Sequence, residues 1–311
     1  MSIDIKESFE KTRAAGSIAA STLDEVAKII KPGITTDEID NLCYEFINDH
    51  GAYSAPLFYR GFPKSCCTSV NHVVCHGIPS DKILKEGDIL NVDVTAYKDG
   101  WHGDTGRMFE VGKVSVKAKK LIETTYESMM KGIKILKENV QLGDIGSTIQ
   151  EHVEANGCSV VQDFCGHGIG QTFHKEPNIL HYGKKGTGEK IKAGMIFTIE
   201  PMINLGNYET KILNDGWTAV TKDKSLSAQF EHTIGVTDNG YETLTTLIVD
   251  DISDSGETLK EWEGLTTAVL LHKPHTSCSV PTINGKIHRG NEWIIYPWER
   301  DDSETIQDYL K

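Results

Sequence analysis

The feature that most restricts the fold of this chain is an internal duplication. The residues LKEGDILNVDV at 84–94 align with IKAGMIFTIEP at 191–201, so that Asp93 matches Glu200, and the tripeptide HGI precedes both segments. An isolated match of this length could arise by chance in strand-like sequence, but here the order of the surrounding elements repeats as well. The repeat predicts two half-domains of one plan that face each other across a pseudo-twofold axis, with equivalent residues converging on that axis.

A pair of helices is predicted before each repeat. Thr35 and Glu38 form a capping-box pattern, Ser115 is a typical N-cap residue, and Pro32 ends the first apolar periodic stretch. The predicted helices run from residue 5 to 31, from Thr35 to near Gly51, from Ser115 to about residue 138, and from the loop containing Gly143 to near Gly157. Each pair is followed by short β-type runs, TSVNHVVCHGI and SVVQDFCGHGI.

The segment NVDVTAYKDGWHGDTGRMF reads as a β-hairpin with an aspartate inside each apolar strand. If Lys-Asp forms the two-residue loop, Asp93 lies directly opposite Asp104; if Asp-Gly forms it, Asp93 faces Gly106 and Asp104 is one diagonal away on the same face. Either loop brings two like charges together, which is unfavourable near the protein interior unless a cation lies between them. The alternative is an exposed edge hairpin with solvated aspartates.

Two further carboxylates and one imidazole extend this pattern. Glu200 lies in the strand-like run MIFTIEPMI, Glu231 lies in SAQFEHTIGV, and His167 belongs to the second HGI. Four carboxylates with a neutral imidazole carry four negative charges, which two divalent ions would balance. We therefore predict a dinuclear site for borderline or hard ions such as manganese, iron, cobalt or zinc, since no thiolate belongs to the set.

Residues 1–248 resemble a type I methionine aminopeptidase of the pita-bread fold, a member of peptidase family M24. The motifs that carry the resemblance are VCHGIP, NVDVTAY, HGDTGRMF, CGHGIGQTFHKEP, FTIEP and NDGWTAVTKDKSLSAQFEHT. The resemblance implies an α+β fold with two pseudo-symmetric αα-ββ halves around a central antiparallel sheet. It also implies that Asp93 chelates one metal ion, that His167 and Glu200 hold the other, and that Asp104 and Glu231 bridge the two.

The same resemblance implies the catalytic and substrate-binding residues. Glu200 would carry a proton to the leaving amine, His174 would donate to the carbonyl oxygen, and His76 would contact the substrate backbone. A methionine side chain requires a narrow apolar pocket, and the family builds that pocket at the positions of Tyr59, Phe62, Cys67, Phe173 and Trp217. Two departures are visible, because Pro56 stands where many relatives have cysteine and Phe62 stands where tyrosine is common.

Charge and cysteine usage restrict the partners and the compartment. The formal net charge of -13 argues against a nucleic-acid partner, and the chain contains neither a signal-peptide pattern nor a long apolar run for a membrane. Seven cysteines without a CxxC pair favour free thiols in a reducing compartment. We therefore expect a cytoplasmic monomer that acts on the N-termini of nascent or newly made polypeptides.

The composition changes at about residue 249, and we predict a C-terminal extension at 249–311. This segment holds 12 acidic and 6 basic side chains and three of the five tryptophans, Trp262, Trp293 and Trp298. It is too apolar for a disordered tail, so we expect a subdomain or a segment that packs on the catalytic domain. Docking of the extension to a partner such as the ribosome is a hypothesis that would fail if its deletion left stability and cellular processing unchanged.

The extension also contains a weak zinc-like pattern, for which scattered surface residues are the simpler interpretation. The residues of this pattern are His272, His275, Cys278 and His288.

Two rival functions and one rival subfamily share parts of this sequence pattern. A fold relative that cleaves before proline, such as aminopeptidase P or prolidase, usually bears a large N-terminal domain, whereas the first predicted helix here starts almost at Met1. A catalytically silent binding protein of the same fold would be expected to lack ligands, and all five are present. A type II methionine aminopeptidase would need a helical insertion between Glu200 and Glu231, for which the spacing leaves no room.

Overall fold

The computed structural model describes residues 4–245 and, of the backbone alone, the strands at 247–253, 266–272 and 283–287. A short 3-10 helix spans Tyr59–Gly61. The α-helices are α1 (Ile5–Ile29), α2 (Thr36–Asp49), α3 (Val116–Lys134) and α4 (Leu142–Ala155). The strands of the first half are β1 (Tyr53–Ser54), β2 (Cys67–Val70), β3 (Val73–Cys75), β4 (Ile89–Lys98) and β5 (Trp101–Glu110). The strands that follow are β6 (Ser159–Val160), β7 (Gly166–Gly168), β8 (Lys175–Ile179), β9 (Ile196–Ile199), β10 (Met202–Asn204), β11 (Thr210–Ile212), β12 (Ala219–Thr221), β13 (Ser227–Gln229), β14 (Glu231–Thr237), β15 (Gly240–Thr243), β16 (Leu247–Ser253), β17 (Thr266–His272) and β18 (Ile283–Ile287).

The helices follow the local signals in the sequence. The Thr35 hydroxyl accepts from the Glu38 amide at 3.2 Å and the Glu38 carboxylate accepts from the Thr35 amide at 2.8 Å, which is the predicted capping box. Ser115 caps α3 as expected, but α3 ends at Lys134 rather than near residue 138. The helix ends early because the Asn139 amide donates to the Ile191 carbonyl, so the chain leaves the helix to pair with the second repeat.

A nine-stranded antiparallel sheet forms the centre of the molecule. Its main order is β1-β4-β5-β14-β9-β7-β8, with β2 paired to β4 and β15 paired to β14. One buried apolar cluster lies where α1 and α2 cover the first half, and a second lies where α3 and α4 cover the other half. Strand pairs of the two halves therefore share one sheet, with a helix pair packed against each half.

The two repeats have equivalent backbone geometry. Gly87 and Gly194 have φ angles of 89° and 88°, a left-handed conformation that favours glycine. The Gly87 amide donates to the Val111 carbonyl and the Gly194 amide donates to the Val236 carbonyl, each at 2.8 Å. The internal duplication predicted from the sequence is confirmed.

The hairpin of β4 and β5 uses the second of the two predicted loops. Lys98 pairs with Trp101, so Asp99 and Gly100 form the turn, with φ angles of 49° and 88° that are typical of a type I′ hairpin. Asp93 faces Gly106, as that loop requires.

Two runs that read as single strands are each broken at the point where a carboxylate lies. The run MIFTIEPMI divides into β9 and β10 around Glu200, and SAQFEHTIGV divides into β13 and β14 at Phe230. Strands β9 and β14 belong to the central sheet, whereas β10 and β13 pair in a three-stranded sheet with β6. A further sheet has the order β11-β12-β3. The chain thus changes sheets beside Glu200 and Glu231, which opens space next to both carboxylates.

Residues 4–245 belong to one compact unit, and the strands beyond it form a three-stranded sheet of their own. That sheet has the order β16-β17-β18, with β17 and β18 parallel. The boundary at residue 248 and the role of the extension stay predictions. The tryptophans Trp262, Trp293 and Trp298 lie outside the described residues, as do His275, Cys278 and His288, and His272 is described only in its backbone. Among the helices that the structure describes, none combines the length and the apolar character that crossing a membrane requires.

Candidate active site

One cavity of about 370 Å³ brings together all twelve predicted catalytic, metal-binding and substrate-binding residues. It is lined by the five predicted metal ligands, by two histidines and by the five pocket residues. These residues are Asp93, Asp104, His167, Glu200, Glu231, His76, His174, Tyr59, Phe62, Cys67, Phe173 and Trp217. Their roles, as distinct from their positions, stay predictions.

Five neighbouring strands each contribute one predicted ligand to the cavity floor. In the sheet order β4-β5-β14-β9-β7, the contributed residues are Asp93, Asp104, Glu231, Glu200 just beyond the end of β9, and His167. Gly106 on β5 lies between Asp93 on one side and Glu231 on the other. A Cβ atom at Gly106 would stand 3.4 Å from the Cβ of Glu231, so glycine keeps the space between the two carboxylates open.

The donor atoms of Asp104, His167 and Glu231 all lie within 4.8 Å of one another, as metal ligands would. The Nε2 atom of His167 is 3.8 Å from Oδ2 of Asp104 and 3.6 Å from Oε1 of Glu200. Its Nδ1 atom donates to the Gly168 carbonyl at 3.1 Å. Because a carbonyl oxygen can only accept, Nδ1 carries the proton and Nε2 presents a lone pair to the carboxylates, the usual state of a metal-binding imidazole.

Two threonines orient the acidic groups. The Thr95 hydroxyl donates to Oδ1 of Asp104 at 2.7 Å, and the Thr198 hydroxyl donates to Oε1 of Glu200 at 2.8 Å. The Gln229 amide donates to the other oxygen of Glu200 at 3.3 Å. Sequence reasoning missed these three residues. Thr198 could have been found, because it stands two positions before Glu200 and residues so spaced on a strand share one face.

Burial and mutual repulsion make the carboxylates weak acids in the absence of a cation. Burial raises the pKa of Asp93 to about 6, and burial together with the charge of Asp93 raises the pKa of Glu200 to about 8. Burial, followed by the neighbouring negative charges, raises the pKa values of Asp104 and Glu231 well above their usual range. Burial lowers the pKa of His167 to about 4, so its ring stays neutral.

This set of groups fits divalent cations. Asp104, Glu200 and Glu231 are only 4%, 7% and 1% exposed, and the Oε1 atom of Glu231 has no hydrogen-bond partner among the described residues. Buried charges of one sign require a compensating charge, and no lysine or arginine of the described chain pairs with these carboxylates. A positive ion would satisfy both the charge and the unpartnered oxygen.

The raised carboxylate pKa values predict how the metal-free protein responds to pH. Above about pH 7 the histidines are mostly neutral in both the folded and unfolded states, so the raised carboxylates dominate. They hold protons in the folded state that the unfolded chain has lost, so the free energy of unfolding should fall by about 1 kcal/mol or more between pH 7 and 8. Urea unfolding of chelator-treated protein measures this, and added Mn²⁺ should remove most of the dependence. Constant or rising stability of the metal-free protein over this range would contradict the prediction.

Aromatic side chains form the apolar wall of the cavity. Phe62 meets Trp217 edge-on with ring centres 5.2 Å apart, and Tyr59 packs against Phe173 at 4.9 Å. Phe62 and Cys67 are buried, and Pro56 also lines the cavity, so the two departures from the family pattern keep an apolar surface. The wall suits an unbranched apolar side chain.

The two further histidines that line the cavity are neutral, because burial lowers the pKa of each. His76 has a left-handed φ of 55° and places its ring edge-on to Phe164 and Trp217. Desolvation lowers the pKa of His174 to about 3, and its ring stacks on Tyr59 at 5.1 Å. A neutral imidazole carries one N–H, so each can donate a single hydrogen bond at neutral pH.

Sequence reasoning also missed a histidine that holds the loop before His174. The Nδ1 atom of His102 donates to the Gly170 carbonyl at 2.8 Å, and the His102 ring stacks on Phe173 at 5.3 Å. His102 opens the motif HGDTGRMF, but the motif does not reveal this contact, because the partners of His102 come from a distant segment. These contacts hold Phe173 of the apolar wall in place, and with it His174, the next residue along the chain.

The architecture and the acidic, histidine-bearing cavity define a metallopeptidase, and the chain belongs to metallopeptidase family M24, whose model matches residues 10–238. Within that family the chain is similar to methionine aminopeptidases. It is 57% identical to the methionine aminopeptidase of Rickettsia prowazekii over 244 residues, which cover 78% of this chain and 94% of that protein. The Escherichia coli enzyme is 53% identical over 249 residues, covering 79% of this chain and 94% of that protein.

Solved structures agree with this relationship. The crystal structure of the Rickettsia prowazekii methionine aminopeptidase matches with a TM-score of 0.78, covering 79% of this chain and 100% of that one. The Thermotoga maritima methionine aminopeptidase matches with a TM-score of 0.76 at 42% identity, covering 77% of this chain and 96% of that one. The predicted pita-bread fold and the predicted resemblance to methionine aminopeptidases are confirmed. A prolidase from Pyrococcus furiosus, at 22% identity and a TM-score of 0.62, shares the fold alone.

Proposed function

We propose that this chain removes the N-terminal methionine from nascent or newly made polypeptides whose second residue is small. The observation that carries the proposal is the single cavity of about 370 Å³ that has a carboxylate and histidine floor beside an aromatic wall. The floor suits hydrolysis of a peptide bond, and the wall suits a methionine side chain. Similarity to methionine aminopeptidases over most of the chain supports the same activity.

Two divalent ions, from the set manganese, iron, cobalt and zinc, complete the proposed site. Asp93 would hold one ion, His167 and Glu200 the other, and Asp104 and Glu231 would be shared between them. Such ions, when bound, polarise the peptide carbonyl and make a water molecule acidic enough to lose a proton near neutral pH. The hydroxyl of Thr198 keeps one Glu200 oxygen turned toward His167.

The chain's own residues position the substrate and move the proton. Glu200 accepts a proton from the attacking water and delivers it to the leaving amine. Among the described residues its second oxygen accepts one long hydrogen bond, from Gln229 at 3.3 Å, which leaves that oxygen available to the proton. His174 donates to the carbonyl oxygen as negative charge develops there. His76 contacts the substrate backbone, and the aromatic wall excludes water from the methionine side chain.

The proposed setting is the cytoplasm, where N-terminal methionine is exposed on new chains. The six cysteines that the structure describes are free thiols, and five of them are buried. Free buried thiols are typical of a reducing compartment. Ribosome docking by residues 249–311 and a monomeric state stay predictions.

Paired peptides test the proposal. Metal-stripped protein is supplied with Mn²⁺, Co²⁺, Fe²⁺ or Zn²⁺ and offered Met-Ala-Ser and Ala-Pro-Ala, and the released amino acids are measured. We expect metal-dependent release of methionine from Met-Ala-Ser and none of alanine from Ala-Pro-Ala. Cleavage only before proline would place the protein with aminopeptidase P and prolidase, and metal binding without any turnover would indicate a silent binding protein.

A further inference from the structure

The mouth of the cavity carries one positive and one negative side chain. Of the residues that line the cavity, Arg60 and Asp163 are both charged and exposed, so they lie where the cavity meets solvent. Among the described residues that line the cavity, Arg60 is the one lysine or arginine. The His174 ring is neutral. The Asp163 carboxylate accepts from the Thr210 hydroxyl at 2.6 Å, so part of its hydrogen-bonding capacity is already used.

The loop that bears Arg60 is tightly held in an unusual conformation. Phe58, Arg60 and Gly61 have left-handed φ angles of 64°, 48° and 89°. The Phe58 amide donates to the Phe62 carbonyl at 2.8 Å and the Phe62 amide donates to the Tyr59 carbonyl at 2.9 Å. A side chain at a left-handed φ costs free energy that glycine would not. These bonds fix the backbone at Arg60, whose side chain is among those that line the cavity.

The Arg60 guanidinium group lies over an aromatic ring and, among the described residues, has no carboxylate partner. Its central carbon lies 5.3 Å from the centre of the Tyr59 ring, within range of a cation–π interaction. The other two arginines of the described chain form ion pairs, Arg13 with Glu242 and Arg107 with Asp24. Among the same residues, Arg60 has no carboxylate at ion-pair distance. A charged group that is held in place and left unpaired at a cavity mouth is suited to bind an anionic partner.

The position of Arg60 relative to His174 indicates which part of a substrate it meets. The Tyr59 ring stacks on His174 on one side and lies under the Arg60 guanidinium. If His174 contacts the carbonyl of the first peptide bond, the exposed Arg60, which shares the Tyr59 ring with His174, is close to the residues that follow that bond. We infer that Arg60 forms an additional subsite that binds an acidic side chain at the third or fourth residue of the substrate, an inference that rests on the proposed function.

Amidated peptides that differ in one charge test the subsite. Wild-type protein with Mn²⁺ is offered Met-Ala-Glu-Ser-NH2 and Met-Ala-Lys-Ser-NH2, and the matching pair Met-Ala-Ser-Glu-NH2 and Met-Ala-Ser-Lys-NH2. For each pair, kcat/KM of the Glu peptide is divided by kcat/KM of the Lys peptide. For at least one pair, this ratio should be about 3- to 10-fold larger in wild type than in Arg60→Gln. Arg60→Lys should keep most of the preference, and Arg60→Glu should reverse it. The change should appear mainly in KM and weaken in high salt.

Arg107→Gln is the matched control, because it removes the same charge from an arginine that pairs with Asp24 and does not line the cavity. Its Glu-to-Lys ratio should equal that of wild type. If wild type cleaves Met-Ala-Ser but both ratios are the same in wild type and Arg60→Gln, the subsite is overturned while the proposed function stands. If no peptide is cleaved with any metal, both are overturned.

Discussion

The Glu200→Gln variant is expected to lose at least about 10³-fold in kcat/KM on Met-Ala-Ser, within the range typical of general acid–base groups. The substitution keeps the size of the side chain and an oxygen that can accept from Thr198. It removes the negative charge that would hold a metal ion and the group that would carry the proton. Turnover assays at saturating Mn²⁺, together with metal analysis, measure the two effects separately.

A stability measurement separates this loss from misfolding. The pKa of Glu200 is raised to about 8 by burial and by the charge of Asp93, so a neutral amide should make the metal-free protein more stable near pH 8. Glu209→Gln is the matched control, because Glu209 is an exposed glutamate paired with Lys222 at 3.0 Å. Retention of more than about a tenth of wild-type activity by Glu200→Gln would show that Glu200 is not the proton carrier.

The His174→Ala variant is expected to lower kcat by about 10²- to 10³-fold, the effect of removing one donor to a developing oxyanion. Metal content should not change, because His174 is not one of the predicted ligands. His174→Gln should lose less, since its amide retains an N–H donor. Kinetics on Met-Ala-Ser with a parallel metal analysis test this prediction.

His72→Ala is the control for a general effect of histidine removal, because His72 is exposed and does not line the cavity. An unchanged kcat in His174→Ala would rule out the donor role. A loss of kcat accompanied by a loss of metal would instead place His174 in the support of the metal site, through its ring contact with His167 at 4.1 Å.

Much of the fold could be predicted from the sequence because its signals are local. The capping box at Thr35 and Glu38 and the N-cap at Ser115 act within a few residues of themselves, and both are present in the structure. The end of α3 was placed too late because it is set by pairing with Ile191, a residue distant along the chain. Boundaries that depend on such long-range pairing are not visible in local periodicity.

The candidate site likewise divides into residues that the sequence predicted and residues that only the folded structure revealed. The five predicted ligands and the seven other predicted residues were all found at one cavity. Nine of the twelve lie in the motifs that carry the resemblance, and Tyr59, Phe62 and Cys67 occupy positions where the family builds its pocket. The supporting residues were missed. Thr95, Thr198 and His102 act only through partners brought near by folding, and Arg60 is distinguished by its backbone conformation and by the absence of a described counter-ion.

The sequence by itself determined the duplicated order of elements, the chemical types of the candidate ligands and the resemblance to methionine aminopeptidases. Only the tertiary structure decided which hairpin loop forms and that five adjacent strands each deliver one ligand to the cavity floor. It also decided that Arg60 lines the cavity beside Tyr59. Residue types and short-range patterns are written along the chain, whereas strand register and the packing of distant segments arise from interactions that the whole folded chain must satisfy at once.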